Sequence, residues 1–142
     1  MCRMLAVWND EEFNVKDYFD RFKELCKGTK YFQGDGFGVY YFDGGWKNFK
    51  SEKPIWECDF DVKTKLCLIH ARFASKKSTI GIENNMPFMK NGWVFMFNGN
   101  LRKVSIESPG GIGADKLFNY WLSKDLEPLE ALKETLKDFE EN

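Results

Sequence analysis

The sequence predicts one soluble domain of the α+β class, spanning residues 1–142. Short apolar runs typical of buried strands occur at 4–8, 66–75 and 93–97. Apolar residues at helical spacing, typical of amphipathic helices, occur at 15–26, 114–122 and 129–139. Aromatic residues make up 17% of the chain, which favours a densely packed, strand-rich interior.

In the first half of the chain, a polar turn at 9–12 is expected between the first strand and the first helix, and Gly28 should end that helix. Alternate glycines at 34–38 then lead into an aromatic strand that reaches Phe42. The Asp-Gly-Gly turn that follows predicts a hairpin with a second strand at 46–49.

The apolar run at 66–75 is nearly continuous, as expected of a central strand covered on both faces. Alternation places His70 and Arg72 on the same side of that strand. A buried arginine needs a partner, because an unpaired buried charge is costly. That partner is either a structural carboxylate or the carboxylate of a ligand.

Two later positions each allow a structural and a functional interpretation. The Asn98-Gly99 pair ends the predicted strand at 93–97, either as a hairpin turn or as two donors to an oxyanion. Asp115 lies in the first turn of a predicted helix, where an acid commonly acts as a cap or favours the helix dipole.

Composition excludes several classes of function. With 21 basic and 22 acidic residues there is no electrostatic case for a nucleic-acid partner. Neither an apolar run of membrane-spanning length nor a signal-peptide core is present, so we expect a cytoplasmic protein without a membrane partner.

Cysteine and histidine usage argues against metal chemistry. The four cysteines have no CxxC spacing, so we expect thiols rather than disulfides or a zinc site. The only histidine, His70, lies inside an apolar run. We therefore expect no metal or cofactor, and chemistry that works without histidine.

Cys2 is the candidate nucleophile. Removal of an initiator methionine is generally efficient when the next side chain is as small as that of cysteine. Cys2 would then carry both a thiol and an α-amine whose pKa of about 7.7–8.0 lets it accept the thiol proton. A nucleophile with its own base can cleave an amide. The alternative is a buried structural cysteine near the start of the chain.

The order of these motifs resembles that of the class II glutamine amidotransferases, which are N-terminal-nucleophile (Ntn) hydrolases, and particularly their short stand-alone members. The resemblance runs from Cys2 to about Leu122 and rests on the following segments: Cys2, Gly-Asp-Gly-Phe-Gly at 34–38, His-Ala-Arg-Phe-Ala-Ser at 70–75, Asn-Asn-Met-Pro-Phe at 84–88, Phe-Asn-Gly-Asn at 97–100 and Gly-Ala-Asp at 113–115.

The resemblance implies an αββα sandwich of mainly antiparallel sheets, in a shortened form, that hydrolyses the side-chain amide of glutamine. Cys2 would be the nucleophile, and Asn98 with the Gly99 N–H would hold the oxyanion. Arg72 would bind the substrate α-carboxylate and Asp115 the α-ammonium. Phe73 and Ser75 match positions that line the substrate pocket.

The chain also departs from the family pattern. Phe97, Lys76 and Met86 stand where many members carry histidine, and Leu117 stands where an acidic residue often follows. The chain is also shorter than the family's usual domain, so we expect either a minimal version or a homodimer that covers exposed sheet edges.

Three functions remain open at this point. The first is release of ammonia from glutamine, with any ammonia acceptor on a separate enzyme. The second is cleavage of another γ-glutamyl substrate by the same thiol. The third is a catalytically inactive protein that binds a partner or an amino acid.

Overall fold

A computed structural model describes residues 1–100, 105 and 107–141 of the chain. The chain divides into two compact units, Met1–Asn98 and Gly99–Asn142. The single domain over 1–142 stays a prediction.

The first unit is built on antiparallel strands and one helix. Its elements are β1 (Arg3–Asn14), α1 (Val15–Lys27), β2 (Phe37–Phe42), β3 (Trp46–Ser51), β4 (Lys63–Ala71), β5 (Phe88–Lys90) and β6 (Trp93–Phe95). Four strands form a sheet in the order β1-β4-β2-β3, while β5 and β6 form a separate hairpin. The predicted α+β class is confirmed, and β4 is an inner strand of the sheet, as expected.

Helix α1 begins and ends where the sequence predicts. The Asn14 side chain accepts a hydrogen bond from the Lys16 N–H at 3.0 Å, which caps the first turn. Gly28 follows the last helical residue, and its N–H donates to the Glu24 carbonyl at 3.0 Å. The buried residues of the helix pack with one face of the sheet into a single core: Val15, Phe19, Phe22, Cys26, Phe37, Val39, Ile55, Cys67, Ile69 and Ala71.

The loop that precedes β5 lies against β2. A Cβ atom on Gly38 would collide with the carbonyl oxygen of Met86. Gly36 has a φ of 98°, and a Cβ atom there would lie 2.7 Å from the Ser51 carbonyl oxygen. Gly36 and Gly38 are therefore required by close backbone approach and, at Gly36, by the left-handed conformation.

In its described residues, the second unit contains two helices, α2 (Gly113–Leu122) and α3 (Pro128–Glu141). They are joined by polar bonds as well as packing. The Tyr120 hydroxyl donates to the Asp138 carboxylate at 2.6 Å, and the Trp121 indole N–H donates to the Pro128 carbonyl at 3.2 Å. Both helices were expected from their apolar periodicity. Within the described ranges, no helix has the length and apolar character needed to cross a bilayer.

Three sequence predictions were wrong in detail. The polar segment at 9–12 is not a turn, since β1 continues to Asn14 with a shift of register between Trp8 and Phe13. Strand β4 ends at Ala71 rather than at 75, and β6 ends at Phe95 rather than at 97. Both predicted strands were too long because the apolar pattern continues past the last paired residue of β4 and of β6.

Candidate functional site

The candidate site lies at one end of the four-stranded sheet, where three strand ends meet. Because β1 and β2 both run antiparallel to β4, their first residues lie beside its last residue, and Arg3 and Phe37 both pair with Ala71. Continuing the β1–β4 register by one residue places Cys2 on one side of Arg72. On the other side, the Arg72 N–H donates to the Gly36 carbonyl at 2.9 Å.

The Cys2 thiol is held by the main chain of Phe73. The Phe73 N–H donates to the Cys2 sulfur at 3.4 Å, and the thiol lies 3.6 Å from the Phe73 carbonyl oxygen. Cys2 is half-buried, so the thiol is neither sealed in the core nor fully in solvent. Cys2 is therefore not the fully buried cysteine of the alternative interpretation.

The Phe73 side chain is engaged separately from its main chain. Its ring packs edge-on against Tyr31 with ring centroids 5.9 Å apart, and the Lys77 ammonium lies 5.5 Å from its centroid. These contacts fix the position of Phe73, whose main chain holds the Cys2 thiol. Ser75, two positions later, is exposed.

Asn98 is brought onto the same residue as the thiol. Its Nδ2 donates to the Cys2 carbonyl at 2.9 Å, although the two residues are 96 positions apart. A side-chain amide carries two N–H groups, so this bond leaves a second donor beside Cys2. Asn98 is exposed and is therefore accessible to a ligand.

Arg72 is 4% exposed, and its guanidinium is held in place by a neutral residue. One terminal nitrogen donates to the Thr79 carbonyl at 2.8 Å, and the other donates to the Thr79 hydroxyl at 2.9 Å. Within the described residues, no carboxylate forms an ion pair with Arg72. The described residues therefore do not supply the structural carboxylate that was one of the two expected partners of Arg72.

Burial lowers the pKa of the Arg72 guanidinium, while Cys2, Asp35 and Glu83 act in the opposite sense. Arg3 pairs with Ala71, so the adjacent residues Cys2 and Arg72 lie side by side at the ends of β1 and β4. A positive charge in that position favours an anion arriving beside Cys2.

Asp35, from the glycine-rich motif, fixes the segment that follows β4. Its carboxylate accepts the Ala74 N–H at 2.8 Å and the Lys77 ammonium at 2.6 Å. The Asp35 N–H in turn donates to the Arg72 carbonyl at 3.1 Å. This residue therefore positions both Arg72 and the Phe73 main chain.

His70 is completely buried, and burial lowers its pKa to about 4, with the Arg72 charge acting in the same direction. The imidazole is therefore neutral at pH 7. It lacks the protonation change near neutrality that a general acid or base needs. Any proton transfer at this site must come from another group.

Gly99 and Asp115 belong to the second unit. Asp115 lies in the first turn of α2, where its carboxylate accepts hydrogen bonds from the Gly111 N–H at 3.2 Å and from the Asn119 side chain at 3.4 Å. These bonds tie the loop before α2 to its first turn, whereas the N-cap position, Ile112, has no side-chain capping bond. The oxyanion role of Gly99 and the ammonium-binding role of Asp115 stay predictions.

The four cysteines differ in chemical availability. All four are free thiols, and burial raises the pKa values of Cys26 and Cys67 to about 12. Those two thiols are inert at neutral pH. Across the described ranges, His, Cys, Asp and Glu side chains nowhere form a group of three or more suited to a metal ion.

Sequence reasoning missed three parts of this site. Thr79 holds Arg72 but lies in a polar loop with no distinguishing pattern. Gln33 contacts the start of the chain, where its Nε2 donates to the Met1 carbonyl at 3.0 Å. The Phe73 main chain holds the thiol, and a main-chain role carries no signal in residue type.

Comparison of the chain with protein-family models and with curated proteins gave no match.

Proposed function

We propose that this protein is a glutaminase that uses the N-terminal cysteine Cys2, once Met1 has been removed, to hydrolyse the side-chain amide of glutamine. The observation that carries the proposal is the buried Arg72 cation, without a carboxylate partner among the described residues, beside a half-buried thiol. An amide donor, Asn98, lies on the same cysteine. Together these groups suit a substrate that carries both a carboxylate and an amide.

Access to Met1 supports the first requirement. Its side chain is 76% exposed, so the residue that blocks the Cys2 amine lies at the surface rather than in the core. Removal of Met1 converts the Cys2 nitrogen from an amide into a primary amine. Because the ordinary pKa of an α-amine is about 7.7–8.0, a substantial fraction is then neutral and basic near pH 7.5.

In the proposed reaction, the Cys2 amine takes the thiol proton while the sulfur attacks the amide carbon of glutamine. The resulting oxyanion is stabilised by the Asn98 amide and the Gly99 N–H, donors of the kind used in oxyanion holes. The amine then gives its proton to the departing ammonia, leaving a thioester. Water, deprotonated by the same amine, attacks the thioester, and glutamate and the thiol are released.

Substrate selection follows from charge. A planar guanidinium binds a carboxylate through two parallel hydrogen bonds, and Arg72 is already oriented by Thr79. Asp115 is assigned the substrate α-ammonium on the strength of the family resemblance. The product ammonia either passes to a separate acceptor enzyme or is released.

The finer fold is part of the same proposal. We infer a shortened αββα Ntn-hydrolase sandwich, with the β5–β6 hairpin corresponding to part of the second sheet. In the four-stranded sheet, β1 and β3 are edge strands, which a second copy of the chain could cover. A dimeric mass in solution at micromolar concentration is the expected result for the homodimer, and a monomeric mass would exclude it.

The test is the intact mass of the purified protein before and after incubation with a glutamine-like diazo-ketone. Loss of Met1 and one adduct that maps to Cys2 are expected. Cys58→Ser is a matched control, because Cys58 is the other half-buried thiol, and it should retain the adduct. Cys2→Ser should lose it. Retained Met1 or labelling at other cysteines would overturn the proposal.

Turnover assays then separate glutamine from related substrates. Release of ammonia from glutamine at a higher kcat/KM than from γ-glutamyl peptides is the expected result. Preferential cleavage of a γ-glutamyl peptide would assign the same thiol to the second substrate class. Binding of glutamine without turnover would assign an inactive binding protein.

A further inference from the structure

Gln33 is a buried amide directly beside the start of the chain. It is 2% exposed, and its main-chain N–H is fixed by a hydrogen bond to the Cys26 carbonyl at 3.2 Å. Its side-chain nitrogen donates both to the Met1 carbonyl, at 3.0 Å, and to the Tyr31 carbonyl. The side chain is thus held in one orientation, against the atoms that are bonded to the Cys2 nitrogen.

The other half of this amide is unsatisfied. The Gln33 Oε1 atom is buried and has no hydrogen-bond donor within the described part of the chain. Leaving such an acceptor unpaired in the interior costs about 1–3 kcal/mol. The Gln33 side-chain oxygen is therefore a buried acceptor that lacks a donor, on a residue that contacts the start of the chain.

Removal of Met1 supplies that group. The Met1 carbonyl, which is bonded to the Cys2 nitrogen, leaves with the methionine, and Gln33 loses one of its two acceptors. The Cys2 nitrogen at the same time becomes an amine with additional N–H bonds. The change removes an acceptor from the Gln33 side-chain nitrogen and adds a donor at the Cys2 nitrogen, which is bonded to the same Met1 carbonyl group that Gln33 contacts.

We propose that Gln33 is a positioning residue that accepts an N–H from the Cys2 α-amine through Oε1 and so directs the amine's lone pair towards the thiol. This inference rests on the proposed function, because it requires Met1 to be removed. Gln33 does not contact the substrate and takes no proton.

A neutral amide suits this position better than a carboxylate would. A carboxylate within about 4–6 Å of an ammonium raises the ammonium pKa by about one to three pH units. The Cys2 amine would then stay protonated at neutral pH and could not accept the thiol proton. Glutamine orients the amine without adding a charge that would disable it.

The test measures the α-amine directly, by NMR titration of protein labelled with [13C]cysteine. The Cα signal of Cys2, assigned by its loss in Cys2→Ser, reports the ionisation of the amine whether or not glutamine is turned over. In Gln33→Glu the amine pKa should rise by about one to three pH units. The acidic limb of the kcat/KM profile should move by the same amount.

Two further variants separate positioning from a general structural effect. Asn48→Glu adds the same charge at an exposed position on β3 and should leave the amine pKa unchanged. Gln33→Met removes the acceptor and should lower the amine pKa, since the charged amine loses a hydrogen bond. Shifts of opposite sign in the two Gln33 variants cannot come from unfolding, which would return both to the ordinary value.

The outcomes distinguish this inference from the proposed function. Equal amine pKa values in wild type, Gln33→Glu and Gln33→Met would overturn the role of Gln33 alone. The expected pKa shifts without ammonia release from glutamine would overturn the glutaminase and keep Gln33. An intact mass that retains Met1 would overturn both.

Discussion

Replacement of Arg72 by methionine separates a substrate-binding arginine from a structural one. Methionine has a similar length and no charge, so the variant removes the cation and both bonds to Thr79 while filling much of the same space. If Arg72 serves folding, its loss should lower the free energy of unfolding. If Arg72 binds the substrate carboxylate, its loss should instead lower the discrimination between substrates with and without that carboxylate.

The expected stability change is small because two contributions oppose each other. Hydrogen bonds from a charged donor contribute about 1.5–3 kcal/mol each, so losing both costs about 3–6 kcal/mol. Against this, burying a guanidinium that lacks a carboxylate partner carries a penalty of several kcal/mol, which the variant relieves. We expect the free energy of unfolding to change by less than about 2 kcal/mol.

The expected loss of activity is much larger. Removing one member of a buried, hydrogen-bonded charge pair costs about 2–5 kcal/mol. That loss corresponds to a decrease of about 30- to 5,000-fold in kcat/KM for glutamine. For 4-aminobutanamide, which is glutamine without its α-carboxylate, wild type and Arg72→Met should have nearly equal kcat/KM values.

The assay is ammonia release from both substrates, together with urea denaturation of each variant. Arg21→Met, at an exposed position on α1, is the control for loss of one positive charge and should match wild type in both measurements. A variant at Arg72 that still prefers glutamine over the analogue to the wild-type extent would refute the carboxylate-binding role. A loss of stability above about 3 kcal/mol would show that the arginine is structural.

Three further outcomes are expected. Asn98→Ala should lower kcat by about 10²–10³ with little change in stability, measured beside Asn100→Ala as an exposed control; equal rates would remove Asn98 from the oxyanion site. Gly38→Ala should destabilise by about 1–3 kcal/mol in urea, whereas Gly45→Ala, with open space around its Cβ, should not; equal effects would contradict the close backbone approach. Because the folded-state pKa of His70 lies near 4 and its ordinary value is 6.5, the unfolded state binds a proton first as the pH falls. Stability contributed by the neutral imidazole is therefore present above pH 6.5 and should fall by up to about 3 kcal/mol towards pH 4, a slope that His70→Gln should reduce.

The sequence predicts those parts of the fold that depend on local pattern. The apolar spacing of α1 and its stop at Gly28 are local, and both agree with the structure. The extent of β1 past Trp8 is not predictable in this way, since the asparagine and acidic residues at 9–12 are poor strand formers, and pairing with β4 resumes only at Phe13. The paired residues on either side carry the strand through that segment.

For the site, the sequence predicts which side chains are chemically suitable but not what holds them. Cys2, Arg72 and Asn98 were identified by residue type and order, and the structure gathers them at one end of the sheet. Thr79 could not be identified, because a threonine in a polar loop has no distinguishing signal. Gln33 could not be identified either, since its interest depends on burial and on an unpaired oxygen.

Two of the departures from the pattern of the family that the sequence resembles contact each other. Met86 and Phe97 stand where that resemblance leads us to expect histidine, and the Phe97 N–H lies 3.4 Å from the Met86 sulfur. A thioether is a weak acceptor and does not ionise. We therefore expect this position to lack any pH-dependent contribution that a histidine would make.

The order in which the site residues are synthesised separates the thiol from its partners in time. The bonds to Phe73 and Asn98 span 71 and 96 residues. At synthesis rates of about 5–20 residues per second, roughly 5–20 s pass between the appearance of Cys2 and that of Asn98. Until β4 (Lys63–Ala71) has been synthesised, β1 has no partner strand, so methionine can be removed from an open terminus. The residue proposed as the nucleophile is thus the first part of the candidate site to be made.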